Sequence, residues 1–134
     1  MRAIGGYYEL ELNTGKEYHF DSLKLNLGRT AFEYILRAKK IQKVYIPYFT
    51  CDAVIEPLLK TGISYEFYKI DFNFEPIIDY NSIIETDYFL YINYFGIKDE
   101  FIKRLVKKVK NLIVDNSQAF FSKPNQGIDT FYSP

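Results

Sequence analysis

The chain of 134 residues contains no tryptophan, one cysteine and one histidine. A single cysteine, Cys51, excludes a framework of internal disulfides and a cysteine-rich zinc site, and His19 has no second imidazole to complete a metal centre. Acidic and basic residues number 17 each, so the formal net charge is zero. This balance does not indicate a nucleic-acid-binding or membrane-surface protein, for which a basic excess is expected. We therefore expect neither a metal nor a nucleic-acid partner.

The sequence also lacks any run near the roughly 18 apolar residues of a membrane-spanning helix, and its first 12 residues lack the apolar centre of a signal peptide. We therefore expect a cytoplasmic protein without a membrane partner. What the sequence does contain is a hydrophobic content of 48%, with 13 tyrosines and 12 phenylalanines. This content suits one domain with a thick aromatic core.

The hydrophobic period alternates along the chain between that of strands and that of helices. Helices are predicted at residues 28–40, 51–60 and 98–110. Strands are predicted at residues 7–12, 43–47, 64–71, 88–95, 111–115 and 127–132, with a loop and a short helical turn at 76–84.

Pro57 falls inside the second predicted helix and indicates a kink or a late start, because an interior proline costs about 3 kcal/mol. Near-continuous apolar strands separated by amphipathic helices predict an α/β fold. We expect three layers, with a mainly parallel sheet and helices on both of its faces.

Polar residues follow three of the predicted strands, in PYFTCD (47–52), NYFG (93–96) and DNSQ (115–118). In a parallel sheet, ligands gather beyond the carboxyl ends of the strands. Asp115, at the end of an apolar strand, is therefore a candidate ligand contact, although an Asx-type turn would also explain it. The sequence has no glycine-rich dinucleotide fingerprint and no P-loop, and it lacks the acidic pair of a response-regulator receiver.

Gly28 comes immediately before the first predicted helix, in NLGRTAF (26–32). A glycine there allows a ligand to approach the free amides of the first helical turn, where an anion such as a phosphate is favoured. On the local pattern alone, a plain helix start with Gly28 in the cap region is the favoured explanation.

Five segments, in this order, resemble the pyridoxal-phosphate (PLP)-dependent aminotransferases of the DegT/StrS type. They are LGRTAF (27–32), VYIPYFTCDA (44–53), YINYFG (91–96), IVDNSQAF (113–120) and GIDTFYSP (127–134). These enzymes aminate nucleotide-linked keto sugars, and the resemblance implies the large-domain fold of aspartate aminotransferase. It also implies that residues 1–26 form an N-terminal arm and that residues 27–134 are the N-terminal part of the PLP-binding domain.

The resemblance implies cofactor contacts at the strand ends. Asp115 matches the residue that pairs with the pyridine nitrogen, where an anion favours the protonated ring. Gln118 matches the residue that approaches the 3-hydroxyl of the ring. Arg29 and Thr30, after Gly28, match the segment whose amides bind the cofactor phosphate, although Arg29 has solvent and a substrate anion as alternative partners.

Other matches depart from the family pattern. Cys51 occupies the position of the aromatic residue that stacks on the cofactor, so Tyr48 or Phe49 is left to compensate, and a small buried thiol is the expected alternative role. Asn93 and Tyr94 match residues at the mouth of the site. Phe131 occupies the position of a phosphate-binding serine.

The resemblance places the lysine that binds the cofactor covalently just after Pro134, so we expect no catalytic residue in this chain and no activity from it alone. The implied complete protein is a homodimeric enzyme that aminates a nucleotide-linked keto sugar with an amino-acid donor, in surface-polysaccharide or related sugar biosynthesis. Two alternatives stay open: a non-catalytic fragment of this fold, and a PLP-dependent sugar dehydratase on the same scaffold.

Overall fold

The computed structural model describes residues 15–133. The predicted strand at 7–12 and most of the predicted arm lie outside these residues. The described part contains three α-helices, α1 (Gly28–Ala38), α2 (Asp52–Thr61) and α3 (Asp99–Leu105). Its six strands are β1 (Lys43–Pro47), β2 (Ser64–Ile70), β3 (Pro76–Ile77), β4 (Tyr88–Ile92), β5 (Leu112–Asp115) and β6 (Asp129–Phe131).

The six strands form one sheet in the order β3-β2-β1-β4-β5-β6. Every neighbouring pair is parallel except β2 and β3, which are antiparallel. The predicted α/β fold with a mainly parallel sheet is therefore confirmed. The central strands β1, β4 and β5 are almost wholly buried, as expected for strands covered on both faces.

Alternate residues of the central strands pack against helices on opposite faces of the sheet. Ile113 of β5 lies in one cluster with Phe32 and Leu36 of α1 and with residues of α2. Its neighbour Val114 lies in the other cluster, with Leu105 of α3. The sheet is therefore the middle of three layers, as the sequence predicts.

The helix predicted at 98–110 is wrong in length, because α3 ends at Leu105. Beyond it, Lys107 and Lys108 donate backbone hydrogen bonds to the carbonyls three residues earlier, at 3.2 and 2.8 Å. These tighter bonds end the helix as a turn, and the turn leaves Val109 buried in the core.

The strand predicted at 88–95 is also too long. β4 ends at Ile92, and residues 94–96 form a single 3₁₀ turn in which Phe95 has a φ of 55°. The predicted loop at 76–84 contains the short strand β3 as well as the expected turn, at Tyr80–Ser82. Pro57 lies within α2, which continues on both sides of it.

None of the helices in the described part of the chain is both long and apolar enough to cross a membrane.

Neighbouring leucines on α2 provide a matched test of this packing. Leu58 is fully buried and Leu59 is 67% exposed. We expect Leu58→Ala to lower the free energy of unfolding by about 2–5 kcal/mol, because it leaves a cavity between α2 and the sheet. Leu59→Ala is expected to change it by less than about 0.5 kcal/mol. Urea denaturation followed by circular dichroism measures both, and equal losses would contradict the assigned face of α2.

Candidate functional site

The parallel strands bring several distant segments to one edge of the sheet. Ile92 at the end of β4 pairs with Asp115 at the end of β5, and Asp115 pairs with Phe131 at the end of β6. A cavity of about 490 Å³ lies at this edge, between the strand ends and the N-termini of α1 and α2. Its polar lining residues come from five segments and are Arg29, Thr50, Cys51, Tyr94, Asp115, Ser117, Gln118 and Ser133.

Asp115 is the buried acid of this cavity. Asp115 is only 5% exposed, and its Oδ1 accepts a hydrogen bond of 2.8 Å from the backbone amide of Ser117. This is the Asx-type turn that the sequence offers as an alternative role. Among residues 15–133 no lysine, arginine or histidine forms an ion pair with it. Burial raises the pKa of the Asp115 carboxyl, and the hydrogen bonds from Ser117 oppose that rise only in part.

Gln118 lines the cavity, and its side-chain oxygen is in use. Its Oε1 accepts a hydrogen bond of 3.1 Å from the backbone amide of Phe95. A backbone amide can only donate, so the atom facing it is the oxygen. No hydrogen bond from the NH₂ group of Gln118 to another described residue is present, so this group is left as a donor for a ligand oxygen.

The N-terminus of α1 forms another part of the cavity lining. Leu27 precedes the helix and provides no side-chain cap, so the first-turn amides remain available as donors. A Cβ added at Gly28 would lie 3.3 Å from Ser117 Oγ and 3.3 Å from Ser133 Cβ. The absence of a side chain at Gly28 therefore lets the two serines approach the start of the helix.

Two of the predicted cofactor residues do not line the cavity. Thr30 lies in the first turn of α1 but is not part of the lining. Asn93 is fully buried, and its amide bonds to Asp99, Asn116 and Ser122 on the protein side of the cavity wall. The expected position of Asn93 at the mouth of the site is therefore corrected, because its polar atoms are used within the protein.

Arg29 lines the cavity, but its guanidinium forms an exposed ion pair with Glu56 of α2. Of the two alternatives that the sequence leaves open for this side chain, solvent and a substrate anion, the exposed ion pair favours solvent. Its backbone amide stays in the first helical turn and remains the part of Arg29 suited to a phosphate.

Cys51 also lines the cavity and is exposed, so the expected buried thiol is wrong. The residue immediately precedes α2. Of the two aromatic residues expected to compensate, Phe49 lines the cavity and stacks on Tyr94 at a centroid distance of 5.7 Å. Tyr48 packs instead against Phe67, at 5.4 Å.

Phe131 is buried and stacks on Phe32 of α1, with ring centroids 5.5 Å apart. It therefore joins the core beneath the cavity instead of supplying a hydroxyl, and Ser133, two residues later, supplies one near Gly28.

The sequence does not single out three of the polar lining residues. Ser117 and Ser133 follow strands β5 and β6, and their place after parallel strands was a usable clue. Thr50 follows β1, and its hydroxyl is buried without a hydrogen-bond partner among the described residues. Nothing in the sequence distinguishes Thr50 from an ordinary loop threonine.

No protein-family model matches the chain, and no curated protein matches it. Solved structures do match. The sugar aminotransferase CalS13 from Micromonospora echinospora superimposes with a TM-score of 0.58 at 16% identity, over 70% of this chain and 30% of that one. Spr1654 from Streptococcus pneumoniae, described as a sugar aminotransferase and solved in its PLP form, gives 0.62 at 18% identity, over 80% and 35%.

This chain shares the fold of the matched part of these two structures. An aminotransferase from Psychrobacter cryohalolentis shares it too, with a TM-score of 0.54 at 20% identity, over 70% of this chain and 26% of that one. The chain thus spans about a third or less of the length of these structures. The resemblance seen in the sequence is confirmed at the level of the fold.

The buried carboxylate gives the unfolding free energy a defined dependence on pH. Asp115→Asn removes the charge and keeps an oxygen for the Ser117 amide. Because burial raises the pKa of Asp115 above its ordinary 3.8, the wild-type chain loses stability relative to Asp115→Asn as the pH rises through the raised pKa. We expect the variant to be the more stable at about pH 7 and the two chains to converge near pH 3, in urea denaturation series across that range.

Asp71→Asn is the control of opposite sign. Hydrogen bonds from the backbone of Glu75 and Asn73 lower the pKa of Asp71. Its contribution to stability is therefore present above pH 3.8 and is lost as the pH falls through the lowered pKa. Asp71→Asn should be the less stable chain at neutral pH. A loss of stability in both variants at pH 7 would contradict the burial of an uncompensated charge at Asp115.

Proposed function

We propose that the cavity at the carboxyl edge of the sheet binds pyridoxal 5'-phosphate. The observation that supports this most directly is Asp115, a buried carboxylate that lines a cavity and has no cation partner among the described residues. Buried charges in proteins are normally paired. A ligand with a protonated ring nitrogen would supply the missing partner.

The rest of the lining fits the same cofactor. The NH₂ group of Gln118 can donate to the ring oxygen. The amides at the start of α1, with the hydroxyls of Ser117 and Ser133, are suited to the phosphate, since a helix N-terminus favours an anion. The cavity thus has hydrogen-bond donors for an anion in one part of its lining and an unpaired acid in another. This arrangement matches a ligand with an anionic group at one end and a cationic ring.

When bound, the cofactor supplies an electron-withdrawing ring that stabilises negative charge on a substrate carbon. The contribution of this chain is electrostatic and positional. Asp115 would hold a proton on the ring nitrogen and so keep the ring cationic. Phe49 and Tyr94 line the cavity and would limit the access of water to the ring.

For the complete protein we propose an aminotransferase that aminates a nucleotide-linked keto sugar with an amino-acid donor, in surface-polysaccharide or related sugar biosynthesis. Residues 27–134 would be the N-terminal part of its cofactor-binding domain, and the enzyme would act as a cytoplasmic homodimer. The sugar aminotransferases that share the fold support the substrate class.

Titration with pyridoxamine 5'-phosphate tests the cofactor site. This probe is fluorescent and does not react with surface lysines. We expect saturable binding by the wild-type chain and at least about a hundredfold weaker binding by Asp115→Asn, since the variant cannot pair with the ring cation. Fluorescence anisotropy measures both affinities.

Asp79→Asn is the matched control, because Asp79 is an acid that caps the turn at Tyr80–Ser82 and is not part of the cavity lining. It should bind the probe as the wild type does. Equal affinity in the wild type and Asp115→Asn, or no binding by the wild type, would refute the proposed site.

Gly28→Ala tests the phosphate wall. The added methyl would meet Ser117 Oγ and Ser133 Cβ at 3.3 Å, so it should push the serines away from the helix start. We expect about tenfold weaker binding of pyridoxamine 5'-phosphate, and no change for pyridoxamine, which lacks the phosphate. Gly15→Ala is the control, because nothing lies within 4 Å of a Cβ there. An equal loss for both ligands would place the phosphate elsewhere.

A further inference from the structure

Asn93 is a fully buried amide at the end of β4, and its side chain joins three segments of the chain. Its Nδ2 lies 2.7 Å from Asp99 Oδ1 at the start of α3, 3.0 Å from Asn116 Oδ1 and 3.3 Å from Ser122 Oγ. Its Oδ1 accepts a hydrogen bond of 3.1 Å from the amide of Lys98. Both the donor and the acceptor halves of the amide are therefore in use.

Only a carboxamide provides this combination at this size. Two N–H donors face acceptors on Asp99 and Asn116, and one oxygen faces a backbone donor. A carboxylate in place of Asn93 would lie against the carboxylate of Asp99. An aliphatic side chain would remove the donor to Oδ1 of the buried Asn116.

The contacts of Asn93 fall at the two ends of the segment 116–122, which follows β5. Asn116 is also fixed through its backbone amide, which donates to the carbonyl of Phe131 at 2.8 Å. Ser122 is fixed through its hydroxyl, which lies 3.2 Å from Asp99 Oδ2. Ser117 and Gln118, which line the cavity, lie between these two fixed points.

Asn93 is also linked directly to the acid. Its backbone amide donates to the carbonyl of Asp115 at 2.9 Å. Two residues further along the chain, the amide of Phe95 meets Gln118 Oε1 from a left-handed conformation, with a φ of 55°. A non-glycine residue holds that conformation only where its surroundings fix it. Hydrogen bonds thus hold the turn after β4 against the segment after β5. The Asn93 side chain makes those to Asn116 and Ser122.

We propose that Asn93 is a positioning residue, which fixes Asp115, Ser117 and Gln118 in the geometry that receives a ligand without touching that ligand. The effect on the segment 116–122 stands on the contacts above; the effect on binding rests on the proposed PLP function.

Hydrogen exchange followed by NMR tests the positioning without any ligand. The reporters are the amides of Ser117 and Phe95, which donate to Asp115 and Gln118. In Asn93→Ala we expect both to exchange at least about tenfold faster than in the wild type, measured relative to the core amide of Ile46 as the reporter of global unfolding. The same variant should bind pyridoxamine 5'-phosphate about tenfold more weakly.

Asn111→Ala is the matched control. Asn111 is also an asparagine whose Nδ2 bridges two acceptors, the carbonyls of Glu85 and Asp87 at 2.8 and 3.2 Å, but it lies at the amino end of the sheet. It should lower stability without changing the relative exchange of Ser117 and Phe95. Faster relative exchange of these amides in both variants, or in neither, would overturn the positioning role.

Asn93→Asp provides a second variant in case Asn93→Ala does not fold. It places a carboxylate 2.7 Å from Asp99 and should release the same two amides. The double variant Asn93→Asp/Asp99→Asn exchanges the amide and the carboxylate, so residue 99 becomes the donor and residue 93 the acceptor. It should recover slow exchange at least in part. No recovery in the double variant would overturn the role of this hydrogen bond.

The outcomes separate the two proposals. Faster exchange in Asn93→Ala with no probe binding by the wild type would support the positioning role and refute the proposed PLP site. Probe binding by the wild type that Asn93→Ala leaves unchanged would refute the positioning role and leave the PLP site supported.

Discussion

The parallel register of β1, β4, β5 and β6 is the constraint on which the candidate site depends. Parallel strands place their carboxyl ends at one edge, so residues far apart in the chain meet there. Thr50, Asn93 and Ser133 come shortly after β1, β4 and β6, and Asp115 is the last residue of β5. An antiparallel arrangement of the same strands would send half of these residues to the opposite edge, and no shared cavity would form.

The edge of the sheet contains a group whose burial opposes folding. Burial of Asp115 without a cation favours its protonated form and costs stability at neutral pH. The surrounding structure offsets that cost with the aromatic and aliphatic packing of both sheet faces. Binding sites typically contain such buried charges, which lower the free energy of unfolding. Pairing with a ligand of opposite charge offsets this loss.

Departures from the family pattern have different structural explanations. Phe131 replaces an expected hydroxyl and packs on Phe32, while Ser133 places a hydroxyl near the same helix start. At Cys51 the expected ring is missing, and Phe49 with Tyr94 supplies aromatic surface from a neighbouring part of the lining. In both cases the chemical group is present in the cavity although the sequence position has changed.

The sequence by itself determined the three-layer fold and the alternation of strands and helices along the chain. It also identified Asp115, Gln118 and Gly28 as candidate site residues. The fold, Asp115 and Gly28 follow from local periodicity and from residues at strand and helix ends, and Gln118 follows from the family resemblance alone. The end of α3 at Leu105 did not follow, because Val109 is buried from the tighter turn after α3 and not from a continued helix. Helical spacing alone allows the longer helix.

The role of Asn93 was decided only by the tertiary structure. Its sequence neighbours place it at a strand end, where a ligand contact and an internal hydrogen bond are equally compatible with the pattern. Whether its amide faces the cavity or the protein depends on Asp99, Asn116 and Ser122, which reach it from elsewhere in the chain. Hydrogen-bond partners of a buried amide are set by three-dimensional packing, and no local pattern of residues specifies them.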